Sequence, residues 1–268
     1  MLDYSVNQAS GLIGLGAQPG PRMLAVVSHG DEQAELPLLW QLCLSLVNFG
    51  YSVTVLDATT QESESNPGLA QLLEDSRWSG DEDRQAGAWV VLPASLGIQS
   101  LSSQAAQKRQ SLAQLGNLFA PGSVVILYCK VEWMIPLIGE STIEPLLVVS
   151  PMRNSLLTSY LALKRLLITG KLKPTIVNMI SEPPPALSTH PQSVAASLSE
   201  CARRFLGHEV RALDIAEQLD EEPQYGETQR LALRLLESAV ALSADYPLGV
   251  RDLRFARSGP IDHFAGSH

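Results

Sequence analysis

The run Ser28-His29-Gly30-Asp31-Glu32-Gln33-Ala34-Glu35-Leu36 stands where a phosphate-gripping loop belongs, between an apolar strand and a long apolar helix. Such a loop works through glycines that let backbone N–H groups approach the phosphate. It adds a lysine for the β/γ oxygens and a Ser or Thr for Mg²⁺. This one keeps one glycine, Gly30, no lysine, and three carboxylates, Asp31, Glu32 and Glu35. A helix N-terminus attracts anions through its unpaired N–H groups and the positive end of its dipole. Carboxylates of the chain itself satisfy that end from within. Two like charges about 4 Å apart repel by about 4 kcal/mol at an effective dielectric near 20. A triphosphate is therefore expected to bind poorly here, at an acidic helix N-terminus that has lost its phosphate site.

Other residues capable of chemistry fall short of a site. Gly11, Gly14, Gly16 and Gly20 precede the first strand instead of following it, so they lack the context of a dinucleotide fingerprint. His29 beside Asp31 suggests an acid–base pair, but no nucleophile is suitably spaced, which leaves a polar loop histidine. His190, His208, His263 and His268 show no metal-ligand spacing with one another or with Cys43, Cys129 and Cys201. No metal and no cofactor are expected, and the cysteines read as buried free thiols in a reducing compartment. Asp57, closing a strand, is placed for function in an open α/β sheet, but without a metal it serves equally to bond loop amides. Asn178 is similarly divided between ligand binding and satisfying loop backbone. Trp40 and Trp133 read as core or interface anchors, and Arg203, Arg204 and Arg211 as a solvated helix end and its neighbour.

The elements that must position these residues alternate. Strands are expected at Met23–Val27, Ser52–Leu56, Ala88–Leu92, Ser123–Cys129, Pro145–Val149, Thr175–Met179 and Glu209–Leu213. Helices are expected at Ala34–Asn48, Gly68–Arg77, Leu101–Phe119, Ser155–Thr169, Ser193–Phe205 and Glu227–Ala244. Near-continuous apolar strands such as Ser123-Val-Val-Ile-Leu-Tyr suit a parallel sheet covered on both faces. A doubly wound, mainly parallel α/β domain over residues 22–244 follows. Residues 1–21 read as a tail, residues 245–268 as an irregular C-terminal tail, and Glu62–Pro67 and Ser79–Gly87 as exposed acidic loops. Glu182-Pro183-Pro184-Pro185 is a stiff connector.

The net charge of −9 opposes nucleic-acid binding. No apolar run is long enough to span a bilayer and no secretory layout opens the chain, so a soluble cytoplasmic protein is expected. Arg251–Phe264 lacks amphipathic periodicity, so membrane contact is expected to be absent or indirect.

Several stretches carry a resemblance to the MinD/ParA branch of P-loop ATPases, and within it to the FlhG/FleN regulators of flagellar number. Leu56-Asp57-Ala58 resembles that family's Asp-Ala-Asp, with Thr59 for the second Asp. Val91-Leu92-Pro93-Ala94-Ser95-Leu96-Gly97 is similar to its Leu-Pro-Ala-Ser-x-Gly. Leu147-Val148-Val149-Ser150-Pro151, followed by Ser155-Leu156-Leu157-Thr158-Ser159-Tyr160, resembles its strand, Pro turn and Ser-Leu-Thr-Asp-Ala-Tyr helix start. Ile176-Val177-Asn178-Met179 resembles the strand whose Asn reaches adenine. Asn7-Gln8-Ala9-Ser10-Gly11-Leu12 resembles the Asp-Gln-Ala-x-x-Leu segment that docks on the GTPase FlhF, with Asn7 for Asp and Ile13 for the following Arg.

The resemblance implies a MinD-like (SIMIBI) P-loop fold. By the same alignment the signature lysine falls on Gly30, the Walker A lysine on Glu35 and the Mg²⁺-holding Thr on Leu36. The family's Asp-Thr-Gly-Ala-Gly stretch is replaced by Tyr128-Cys129-Lys130-Val131-Glu132. Phosphoryl transfer needs phosphate positioning, a metal and an oriented water, and of those parts only Asp57 remains. The expectation is a pseudo-ATPase with a degenerate nucleotide site (Gly30, Glu35, Leu36, Asp57, Asn178). It would regulate flagellar number or placement through an FlhF-like or other assembly partner bound at Asn7, Gln8, Ala9 and Leu12, with a homodimer also open. The alternatives are an ATPase with a divergent phosphate loop and an accessory protein of a cellulose or secretion system.

Overall fold

The computed structural model describes residues 20–74, 89–105, 111–180, 193–216 and 226–242. The strands among them are β1 (Arg22–Ser28), β2 (Val53–Asp57), β3 (Val90–Pro93), β4 (Val124–Lys130), β5 (Leu146–Val149), β6 (Thr175–Ile180) and β7 (Arg211–Ala216). Their order in the sheet is β3-β2-β4-β1-β5-β6-β7. These seven run parallel. β1 is central. It pairs with β4 from Arg22↔Val124 to Ser28↔Lys130 on one edge. Its other edge is shared by β5, at Val26↔Leu146, and by the short antiparallel β8 (Val240–Ala241), at Arg22↔Ala241 and Met23↔Val240.

The centre of the sheet is buried on both faces, which is why its strands carry no polar alternation. In β4, Val125, Leu127 and Cys129 point to one core, and Val124, Ile126 and Tyr128 to the other. The second core is roofed by α1 (Glu32–Asn48), through Leu38, Leu42 and Leu46, and by α8 (Gly226–Ser238), through Leu231 and Leu235. The first core is covered by α2 (Leu69–Glu74), α3 (Ser95–Ala105), α4 (Ser111–Gly116), α5 (Val131–Ile138), α6 (Arg153–Ile168) and α7 (Val194–Cys201). Helix α7 continues into a π-helical turn, Ala202–Leu206, which Gly207 stops at φ 68. This is the doubly wound, mainly parallel α/β architecture the sequence leads one to expect.

The differences are local and have physical causes. Helix α1 begins two residues earlier than its apolar periodicity, because Glu32 and Gln33 form an exposed first turn. Of the helix expected at Leu101–Phe119, the described residues show α3, already started at Ser95, as far as Ala105, and α4 from Ser111 to Gly116, with 106–110 outside the described residues. Helix α5 was not expected. It is eight residues long, contains Pro136, and follows β4 without a loop. The final helix stops at Ser238, and its apolar continuation, Val240 and Ala241, pairs with β1 instead. The strand expected at Glu209–Leu213 lies two to three residues later, as β7. The helix at Gly68–Arg77 is seen from Leu69 to Glu74, and Arg77 lies outside the described residues. So do Asn7–Leu12, the 182–185 connector and residues 243–268. Gly20 and Pro21, assigned above to the N-terminal tail, are buried, and the Pro21 carbonyl accepts from Leu242 N–H at 2.7 Å.

Candidate functional site

The chain leaves β1 toward β2 on one side, while β5, β6 and β7 build outward on the other. Ligands of open α/β sheets lodge at such a reversal, beyond the C-terminal ends of the strands. A cleft of about 430 Å³ lies there, lined by Gly30, Asp31 and Glu32 at the start of α1 and by Met152, Arg153 and Ser155 at the start of α6. Gly30 turns the chain at φ 96, a left-handed conformation that costs glycine little.

Beneath the loop, Glu35 is fully buried. Its Oε1 accepts the backbone N–H of His29 and that of Asp31, each at 3.0 Å. Its Oε2 accepts the Tyr128 hydroxyl from β4 at 2.5 Å. Burial and the adjacent Glu35 charge push the Tyr128 phenol well above its ordinary range. Two of the loop N–H groups are therefore taken by a carboxylate of the chain. Loop acidity was legible in the sequence; which acid turns inward was not. Glu32 is exposed, whereas Asp31 is buried and accepts the Ser150 hydroxyl at 2.6 Å.

His29, expected as a polar loop histidine, has a buried ring, its side chain 2% exposed. Nε2 lies 2.6 Å from the Val148 carbonyl and must donate to it, with the Glu35 carboxylate 3.4 Å away. Nδ1 shares a hydrogen bond with Thr158 Oγ1 at 2.8 Å. The Ser150 N–H also donates to Ser155 Oγ. Loop, β5 end and α6 start are thereby stitched together. The hydrogen-bond partners of the His29 ring, Val148 and Thr158, lie more than a hundred positions away in sequence, and Asp31 is not one of them.

The remaining expected site residues are distributed along the same edge of the sheet. Asp57 closes β2; its Oδ1 accepts from Thr59 N–H (2.8 Å) and Oγ1 (2.6 Å), and its Oδ2 from Thr60 Oγ1 (2.7 Å). It is a turn-forming carboxylate with both oxygens engaged. Leu36 is 48% exposed on the outer side of α1. Asn178 on β6 is buried and donates from Nδ2 to Asp214 at 2.9 Å, while its Oδ1 has no partner among the described residues. Gly30, Glu35 and Leu36 thus share one loop and helix start, and Asp57 and Asn178 lie two strands away on opposite sides. Lys130, in register with Ser28, lies over the Trp133 ring at 5.7 Å.

A third buried carboxylate lies on the far side of β2. Glu62, expected in an exposed loop, is buried. It accepts from Ala70 N–H at 2.8 Å, from Gly97 N–H at 3.2 Å and from Leu96 N–H, capping α2 and α3 together. Gly68 permits this packing: a Cβ there would come within 2.1 Å of the Pro93 carbonyl and 2.5 Å of the Glu62 side chain. Among the described residues no group of three His, Cys, Asp or Glu could hold a metal ion, and no helix is long and apolar enough to cross a membrane.

The class defined by these observations is a doubly wound, mainly parallel α/β protein with a strand–loop–helix cleft at the central strand. No protein-family model matches the chain, and no curated protein sequence does. Among solved structures it is similar to the MinD cell division protein of Aquifex aeolicus, with 14% identity and a TM-score of 0.47, covering 82% of this chain and 99% of that one. A ParA family ATPase from Chlorobium tepidum is similar at 12% identity and a TM-score of 0.45, over 82% and 92% of the two chains. The MinC:MinD complex of Aquifex aeolicus gives 12% and 0.43, over 81% and 93%.

Proposed function

We propose that this chain is a non-catalytic, MinD-like regulatory or scaffold protein, a pseudo-ATPase that acts through protein contacts. The observation that carries the reading is Glu35. Its buried carboxylate accepts two loop N–H groups and a tyrosine hydroxyl at the place where the family resemblance puts a lysine. An anion entering the loop would have to displace a carboxylate that cannot leave without stranding those donors. Asp57, the one retained member of the catalytic set, is held by Thr59 and Thr60. The flagellar assignment, number or placement control with an FlhF-like GTPase as partner, rests on the resemblance of Asn7–Leu12 and of the strand-end motifs.

Calorimetric titration with Mg-ATP tests this. No heat of binding is expected up to about 1 mM nucleotide, weaker than about −4 kcal/mol. Micromolar affinity that disappears in Asp57→Ala would overturn the proposal. One observation favours a second reading, a nucleotide site with a divergent loop. The cleft joins two helix N-termini and carries Arg153, a cation suited to phosphate oxygens.

A further inference from the structure

Helix α1 carries no charged residue between Glu35 and its C-cap, Phe49. Its inner face explains half of that composition, through Leu38, Leu39, Leu42, Cys43 and Leu46. The outer face should then be polar. Instead it presents Leu36, Trp40 and Leu44, which are 48%, 62% and 39% exposed. A helix apolar all round is ordinarily buried all round.

The surface continues onto the sheet. The Trp40 ring meets Trp89 edge-on, with centroids 4.7 Å apart at 90°. Two residues on, Val91 of β3 is 56% exposed, and β3 is the last strand in the sheet order. Strand periodicity puts Val91 on the same side as Trp89. We propose that the outer face of α1, with Trp89 and Val91 beside it, is the contact surface between two copies of this chain.

Area and charge both fit that occupant. The exposed parts of Leu36, Trp40, Leu44 and Val91 amount to on the order of 400 Å² of apolar surface, within the range at which patches on monomers are functional. That is about half of what each partner contributes to a standard interface, and the remainder falls to a polar rim. The protein has a net charge of −9, so two copies repel over most of their surface. The stripe is neutral, so no like charges face each other across it. Residues 36, 40 and 44 follow the four-residue ridge of a helix, and two such ridges interdigitate across a two-fold axis. Trp40, the largest and most exposed of the set, has the character of a hot spot.

Sedimentation velocity of the full chain across about 1–200 μM is the test, with a dimer midpoint in the micromolar range expected. The mass should climb from 29.0 kDa toward twice that value. Trp40→Glu and Leu44→Glu should each raise the midpoint by at least about tenfold, and Trp40→Phe by far less. Both glutamates replace exposed side chains, and an unchanged circular dichroism melt shows that the variants fold. If one variant does not fold, Leu36→Glu takes its place. Tryptophan emission should shift to the blue with wild-type concentration and not with Leu44→Glu. A wild-type protein that stays monomeric throughout overturns the proposal. So does a dimer indifferent to the glutamate at Trp40, Leu44 or Leu36.

Discussion

Tyr128 donates its phenolic hydrogen to Glu35 at 2.5 Å, joining two residues 93 positions apart on β4 and α1. The family resemblance sets a Walker A lysine against Glu35 and the Asp of an Asp-Thr-Gly-Ala-Gly stretch against Tyr128, and the two side chains touch. Tyr128 can be buried because Glu35 accepts from it, and Glu35 is satisfied because Tyr128 and two loop N–H groups donate to it.

Glu35→Ala should lower the unfolding free energy by about 3–5 kcal/mol, because it strands the His29 and Asp31 N–H groups and the Tyr128 hydroxyl at once. Tyr128→Phe should cost about 1–2 kcal/mol, and the double variant should fall short of the sum by about 1–3 kcal/mol. Urea unfolding of the four proteins measures the cycle. Strict additivity would show that the pair does not act as a unit.

Restoring Lys at Glu35 together with Thr at Leu36 should not create an ATPase. The lysine would be set beside Tyr128 in a buried space shaped for a carboxylate. The threonine would sit at an exposed position of α1, and Asp57 would remain bonded to Thr59 and Thr60. Phosphate release by that variant should equal a protein-free control.

Glu62→Ala should cost about 2–4 kcal/mol, because one carboxylate holds N–H groups of both α2 and α3. Glu62→Gln, which keeps the acceptor oxygen but adds donors with no acceptor in place, should lie between it and the wild type. A melt that moves by less than about 1 °C would mean the caps are dispensable.

Stability should fall on the alkaline side. Burial raises Cys43 to about 12 and pushes Cys129 up further, and Tyr128 is raised by burial and by Glu35. The folded chain keeps these protons after the unfolded chain has released them, so stability is intact below the unfolded values. It is lost as pH rises past about 9 for the thiols and about 10 for the phenol. Each group adds about 1.4 kcal/mol per pH unit until its folded value is reached. Cys43→Ala with Cys129→Ala should flatten the decline between about pH 9 and 10, as read from denaturant midpoints. An unchanged slope would refute the assignment.

The strands and their alternation with helices were legible because parallel core strands are written as unbroken apolar runs, as in Val124–Cys129. The acid character of the loop was legible too, since Asp31, Glu32 and Glu35 are contiguous with a helix start. Partners were not. Which of the three acids turn inward depends on Tyr128 for Glu35 and on Ser150 for Asp31, both remote in sequence. Glu62 looked like loop charge because its two caps lie eight and more than thirty residues away. Helix α5 was hidden by its length and by Pro136, and β8 by continuing a helical pattern. Local periodicity sees none of these, since each is decided by tertiary contact.

Asn7, Gln8, Ala9 and Leu12 lie outside the described residues. Gly20 and Pro21 belong to the folded domain, since both are buried and the Pro21 carbonyl accepts from Leu242. A truncation meant to remove only the proposed docking segment must therefore stop at Gln18. Deleting residues 1–18 should leave the melting temperature within about 2 °C of the full chain, whereas deletion through Pro21 should lower it by more. If the segment docks as a helix in a groove, Leu12 supplies the apolar anchor, and Gln8, one helical turn away, shares its face. The 1–18 deletion and Leu12→Asp should then each abolish capture of an FlhF-like GTPase from the same genome, with Ser10→Ala as the neutral control. Retained capture by Leu12→Asp would remove the segment from the interface and return attention to the cleft between α1 and α6.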